Sequence, residues 1–215
     1  MKTTNRSSGF LYRLRAWLSP AEAPRSADLI FVLAGRMHRK DYALELFRQG
    51  FAPRVLFSVG RFEIRRFSKM HLPVPLDLLR VAQELPPQQR HYLAYFQGHE
   101  VLTEHVLPGR FGTLTEISAL ARWLGARPEI RSVLLISNDT HLRRIRMCCR
   151  SLLNPKLELA FLAAPLPPGQ PSALTNDGYQ PDPPRPEQSA VAASARDDLL
   201  ELLKLSIYWV LLKFR

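Results

Sequence analysis

Apolar residues in this chain fall into short unbroken runs separated by stretches of helical spacing. Residues 28–33 read Asp-Leu-Ile-Phe-Val-Leu and close on Ala34-Gly35. A continuous apolar run ended by glycine predicts a strand covered on both faces. Tyr42, Ala43, Leu46 and Phe47 then recur at helical spacing and Gly50 supplies a stop, which predicts a helix over 39–49. Residues 54–60, RVLFSVG, form a second run ended by Gly60, so 28–60 reads as a strand-helix-strand unit with a right-handed crossover.

The same alternation returns with a strand at 101–106, a helix at 113–124, a strand at 132–137, a helix at 140–153 and a strand at 157–163. Five strands alternating with helices predict an α/β, Rossmann-like fold with a mostly parallel, doubly wound sheet, in which 29–33 and 133–136 are central. Residues 61–98 do not fit one crossover. They carry Pro73, Pro75, Pro86 and Pro87, two helical pieces and an aromatic cluster of His91, Tyr92, Tyr95 and Phe96, which predicts a helical insertion over the C-terminal edge of the sheet.

The α/β domain is therefore expected over 28–164, after a basic arm at 1–27. Residues 165–190 hold 8 of the 18 prolines and read as an extended surface segment. A helix over 191–215 begins with acids and ends with bases, as the helix dipole favours. Its second half is apolar around most of its circumference, which predicts packing on the domain or insertion into a membrane surface.

Composition adds a sign to this frame. There are 30 Lys+Arg against 19 Asp+Glu, a net charge of +11, and residues 1–70 hold 14 basic and 5 acidic residues against 5 and 6 in residues 165–215. The excess predicts an anionic small-molecule partner or peripheral contact with acidic lipid. Nucleic acid is not expected, because the aromatics do not interleave with the basic residues as in the known modules. Residues 2–23 include an apolar stretch before Ala21-Glu22-Ala23, but Arg13 and Arg15 interrupt it. Cys148 and Cys149 are adjacent on a helix and cannot pair with each other. Both points favour a cytoplasmic protein, peripheral at the inner membrane if it touches lipid at all.

In open α/β sheets ligands bind beyond the carboxyl ends of the strands. The residues there are Gly35, Arg36, Arg39, Ser58, Gly60, Arg61, residues 108–113, Ser137, Asn138, Asp139, His141 and Arg144. Glycines permit close backbone approach, helix starts offer N–H groups and arginines give bidentate donors, so this set suits phosphate or carboxylate. Ser137-Asn138-Asp139-Thr140-His141-Leu142-Arg143-Arg144 is the most informative stretch. A cap at Asp139 or Thr140 puts His141 in the first turn, where it stays neutral and serves as acid or base, with Arg144 on the same face. Thr113 and Glu116 match a capping box, and Glu116 could also reach the crevice. No metal triad emerges from His99, Glu100, Glu104 and His105, and no nucleotide loop of the glycine-rich kinds is present, so no cofactor is named.

Several of these motifs together resemble the bacterial DUF218 family, also called the YdcF, SanA and ElyC-like family. The matching pieces are the strand ending Leu-Ala-Gly, Arg39 and Ala43, "QGFAPRVLFSVG" with Ser58 and Gly60, Thr113, and "LLISNDTHLRRIR" with Ser137, His141 and Arg144. Glu201-x-x-Lys204 with Tyr208 is similar to the terminal helix of many members. Ala34, Val59, Ile145 and "GTLTEI" depart from the usual text. The resemblance implies a Rossmann-like fold over 28–164 and a link to cell-envelope biogenesis. The resulting expectation is a protein that binds, and hydrolyses or transfers, a phosphorylated or nucleotide-like anion. The alternative is a non-catalytic interaction protein at the inner membrane surface.

Overall fold

A computed structural model describes residues 17, 21–107, 109, 112–166 and 187–213. Most of the N-terminal arm and of the proline-rich segment lies outside the described residues. The elements are β1 (Leu29–Val32), α1 (His38–Arg48), β2 (Arg54–Gly60), α2 (Ile64–Phe67), α3 (Leu78–Ala82), β3 (His91–Gln97), β4 (Glu100–His105), α4 (Gly112–Gly125), β5 (Ser132–Ser137), α5 (Leu142–Leu152), β6 (Glu158–Ala163) and α6 (Glu187–Lys213). They form a Rossmann-like α/β fold around one six-stranded sheet of order β4-β3-β2-β1-β5-β6. β1 and β5 are central and parallel, with Leu29 beside Val133 and Val32 beside Ile136. All four residues of β1 are buried, as an apolar strand covered on both faces must be.

Two expectations are corrected. The sheet has six strands and is mixed, because β3 pairs antiparallel with both β2 and β4. The supposed insertion 61–98 therefore lies partly inside the sheet: its aromatic cluster is β3, with Tyr92, Tyr95 and Phe96 buried, while α2 and α3 cover one face. The run at 101–106 is the exposed edge strand β4, antiparallel to its only neighbour. The opposite edge, β6, is met by the chain before β1, where Glu22 N–H donates to Phe161 O at 2.8 Å.

Side-chain alternation divides the core in two. Ile30, Val32, Val55, Phe57 and Val59 pack against α1, α2 and α3. Leu29, Phe31, Leu33, Leu56, Val133 and Leu135 pack against α4 and α5, with Tyr208 of α6. The crossovers flanking β1 and β5 therefore lie on opposite faces, and the crevice between those strand ends is the switch point where such sheets take ligands.

The terminal helix docks unlike a simple amphipathic helix. Among its residues from 198 onward, Asp198, Glu201, Leu205 and Tyr208, at spacings of 3, 4 and 3, are buried. Leu199, Leu203, Ile207, Trp209 and Val210 face outward and are exposed. None of the helices among the described residues is long and apolar enough to cross a membrane.

Candidate functional site

Along the face covered by α4 and α5, the inward rows of two strands turn polar at their carboxyl ends. Leu56 is followed by Ser58 on β2, and Leu135 by Ser137 on β5, both fully buried. Above them lie Thr113 and Glu116 from the first turns of α4, His141 from the turn before α5, Arg144 from the first turn of α5, and Lys204 and Tyr208 from α6. With Arg39, Ala34 and Ser137 they line a cavity of about 340 Å³.

Its dominant charges centre on Glu201. Arg144 Nη1 donates to Glu201 Oε2 at 2.5 Å, and Lys204 Nζ donates to Oε1 at 2.9 Å. Arg144 Nε also reaches Thr113 Oγ1 at 3.3 Å. Burial alone would raise the Glu201 carboxyl, but His141, Arg144 and Lys204 outweigh it and hold it at about 2. His141 Nε2 lies 3.3 Å from Glu201 Oε1. Burial, aided by Arg39 and Arg144, lowers this imidazole to about 4 even against the attraction of Glu201. It is therefore neutral near pH 7.

Arg39 forms the other wall. Its Nε donates to Asn138 Oδ1 and its Nη1 to Ala34 O, both at 2.8 Å. The guanidinium lies across Gly35, whose φ of +133° is a conformation that residues with a side chain rarely adopt. Burial lowers Arg39 to about 10, so it stays charged. Glu116 is buried beside it, Oε1 accepting the Ala34 N–H at 2.6 Å, and burial pushes its carboxyl up. Thr113 and Glu116 thus bond outward to Arg144 and Ala34 rather than to each other's helix-start N–H groups as a capping box would require.

Other residues read as ligand-binding from sequence are placed differently. The N–H groups of Gly35 and Gly60 both donate to Glu63, at 2.5 and 2.9 Å, and Lys40 Nζ adds a third bond at 2.9 Å. An internal carboxylate holds what an incoming anion was expected to use. The chain at 139–141 is a 3-10 turn, so the cap expected at Asp139 or Thr140 becomes a tighter entry and His141 itself precedes α5. There the Thr140 N–H is taken by Asp139 Oδ1 and the His141 N–H by Asn138 O. Arg61 is exposed and stacks 4.4 Å from the Phe62 ring, away from the cavity. Arg36 and Asp139 are partly exposed outside its lining, and Asn138 acts by orienting Arg39. Cys148 and Cys149 are buried away from the cavity lining, and burial raises both thiols.

What the arrangement can do follows from its donors. Arg39, Arg144 and Lys204 outnumber Glu116 and Glu201 even with both carboxylates ionised, which leaves the cavity positive. Ser137 Oγ, fully buried on its wall, has no hydrogen-bond partner, a cost of about 1–3 kcal/mol unless something fills the cavity. Sequence reasoning missed Lys40 and Glu63, and it singled out Glu201, Lys204 and Tyr208 as a terminal-helix motif without placing them at this end of the sheet. Glu63, three residues after the strand-ending Gly60, carried a usable signal, since a carboxylate there can fold back onto the turn N–H groups. Comparison of the chain with protein-family models, with curated proteins and with solved structures finds no match.

Proposed function

We propose that this chain binds a phosphate-bearing small molecule in the cavity between β1, β5 and α6, and hydrolyses or transfers its phosphorylated group. The observation that carries the reading is the buried, unpartnered Ser137 hydroxyl on a wall that also presents Arg39, Arg144 and Lys204. Charged donors with one free hydroxyl suit a phosphate, which has more acceptor oxygens than a carboxylate. His141, neutral and on the cavity wall with Nε2 3.3 Å from Glu201, is the acid-base group of this reading. The resemblance to the DUF218 family, through Arg39, Ser58, Thr113, Ser137, His141 and Arg144, supports the same reading and extends it to envelope biogenesis in a bacterial cytoplasm.

Calorimetric titration with inorganic phosphate, nucleoside phosphates and sugar phosphates tests it. Arg144→Ala is expected to weaken binding by about 1.5–3 kcal/mol, the worth of a hydrogen bond to a charged group. His141→Ala should keep binding and lose turnover. No binding of any of these ligands at millimolar concentration would remove the proposal.

A second reading has its own observation, the outward apolar face of α6 with Trp209 57% exposed and Lys213 Nζ 5.0 Å from its ring. Such a face suits the interfacial zone of a membrane. Co-sedimentation with anionic vesicles, lost in Trp209→Ser with Leu203→Ser, would favour it; unchanged sedimentation would count against it.

A further inference from the structure

Glu116 is joined to a partly exposed histidine by a single hydroxyl. Ser58 Oγ lies 2.7 Å from His91 Nε2, and the same buried side chain neighbours the Glu116 carboxyl and lowers it against the effect of burial, while Glu116 Oε1 accepts the Ala34 N–H. Ser58 is fully buried and Glu116 faces the cavity, whereas His91, at the start of β3, is partly exposed. The three residues come from α4, β2 and β3, and the antiparallel β2–β3 pairing that sets His91 two residues from the partner of Ser58 makes the contact possible. None of this chain is used by the proposed role of His141.

From this geometry we infer that Glu116 exchanges protons with the cavity and that Ser58 and His91 form a relay carrying those protons to and from the protein exterior. A serine hydroxyl has one proton to give and lone pairs to accept, so two arrangements are open to the chain. With Glu116 ionised, Ser58 donates to the carboxylate and accepts from His91 Nε2–H. With Glu116 protonated, its O–H donates to Ser58, Ser58 donates to the Nε2 lone pair, and His91 carries its proton on Nδ1.

The interconversion balances without any other reactant. A proton arrives at Nδ1, the Nε2 proton passes to Ser58 Oγ, and the serine proton passes to Glu116; the reverse sequence releases one. The same steps could supply or remove a proton from a ligand touching Glu116. The groups facing the chain permit it. Arg39 and Glu63 act on Glu116 with opposite signs, and Glu63, Lys40 and His105 surround His91. Burial raises the Glu116 carboxyl and lowers His91 to about 4, so the histidine is neutral and in a tautomer set by its neighbours.

The use of this relay in turnover rests on the proposed phosphate chemistry; its existence does not. Nitrogen NMR of histidine-labelled full-length protein reads the His91 tautomer directly. Expected is a pH-dependent switch between Nε2–H and Nδ1–H in the parent, with the same midpoint as the infrared carbonyl band of protonated Glu116. Glu116→Gln should abolish both signals, Ser58→Ala should leave the Glu116 titration but uncouple His91, and Ser58→Thr should restore the coupling. A His91 tautomer that ignores pH across the Glu116 titration in the parent, or that switches equally in Ser58→Ala, would overturn the relay. The parent measurement decides the matter even if a variant fails to fold. Phosphate titration of the parent stands apart: a relay without phosphate binding rejects the proposed function alone, and binding without coupling rejects the relay alone.

Discussion

Two buried glutamates gather cations at the C-terminal edge of the sheet, and they differ in what else they touch. Glu63 takes the N–H groups of Gly35 and Gly60 together with Lys40, whose side chain is fully buried. Every partner belongs to the sheet, its turns or α1, and the cluster ties the ends of β1 and β2 to that helix. Glu201 comes from the terminal helix, stands near His141, and binds Arg144 and Lys204, which line an open cavity together with an unpartnered serine. A carboxylate bonded to turn N–H groups and a sealed lysine acts as structure. One that shares long side chains with a cavity leaves them within reach of another anion.

The largest expected effect breaks the first cluster. Glu63→Gln leaves the Lys40 ammonium without its charge partner and should cost about 3–5 kcal/mol in urea unfolding. Glu201→Gln should cost less, about 1–3 kcal/mol, because cavity water can reach Arg144 and the Lys204 side chain is 40% exposed. Added phosphate sharpens the contrast. It should raise the melting temperature of Glu201→Gln by more than that of the parent, since removing the carboxylate makes the cavity more positive, and should not rescue Glu63→Gln. Equal phosphate responses in the two variants would erase the distinction. Arg144→Ala removes a buried ion pair with Glu201 and should itself cost about 1–3 kcal/mol of stability.

Acid should separate the two ends of the Glu201 cluster next. Glu201 has a folded value near 2 against 4.5 unperturbed, so its contribution is complete above about pH 4.5 and disappears as pH falls toward 2. His141 is also depressed, from 6.5 to about 4. The unfolded state therefore binds that proton first, and stability falls as pH drops from about 6.5 to 4. His38 and His91, both held near 4 by burial first of all, act in the same window. Unfolding free energies measured between pH 7 and 2.5 should show both limbs. His141→Gln should remove about one proton from the upper limb, and Glu201→Gln should flatten the lower one. A His141→Gln profile that parallels the parent would mean the imidazole is not kept neutral by the fold.

How far the sequence anticipates this end of the molecule depends on periodicity. β1 and β5 were legible because both faces are buried and the runs are unbroken, and the crevice followed from their position. β3 was not, since three of its five buried residues are aromatic and it follows a proline-rich stretch, so HYLAYFQ reads as an aromatic cluster. His141, Arg144 and Ser137 stood out as polar residues just beyond a strand. Lys40 and Glu63 did not, because a lysine in a helix and a glutamate in a basic loop have the composition of a solvated surface. The inward acids of α6 read as ordinary dipole complements at a helix start. Only the fold reveals that Asp198 and Glu201 share a buried stripe with Leu205 and Tyr208.

The smallest expected effect distinguishes contact from field. Arg61 follows a strand end and was grouped with the ligand-binding arginines, yet it is exposed and rests on Phe62, whereas Arg144 is buried on the cavity wall. An exposed charge beyond direct reach acts only through the screened potential, whose range is about 8 Å at physiological salt. Arg61→Ala should therefore change phosphate affinity by about two-fold or less, and that change should vanish as salt rises from about 0.05 to 0.5 M. Arg144→Ala should retain most of its effect over the same range, because a buried hydrogen-bonded charge is screened far less. Calorimetry of both variants at the two salt concentrations makes the comparison. A large, salt-resistant loss in Arg61→Ala would mean that this arginine swings onto the ligand, and the boundary of the binding site would then have to include the loop after β2.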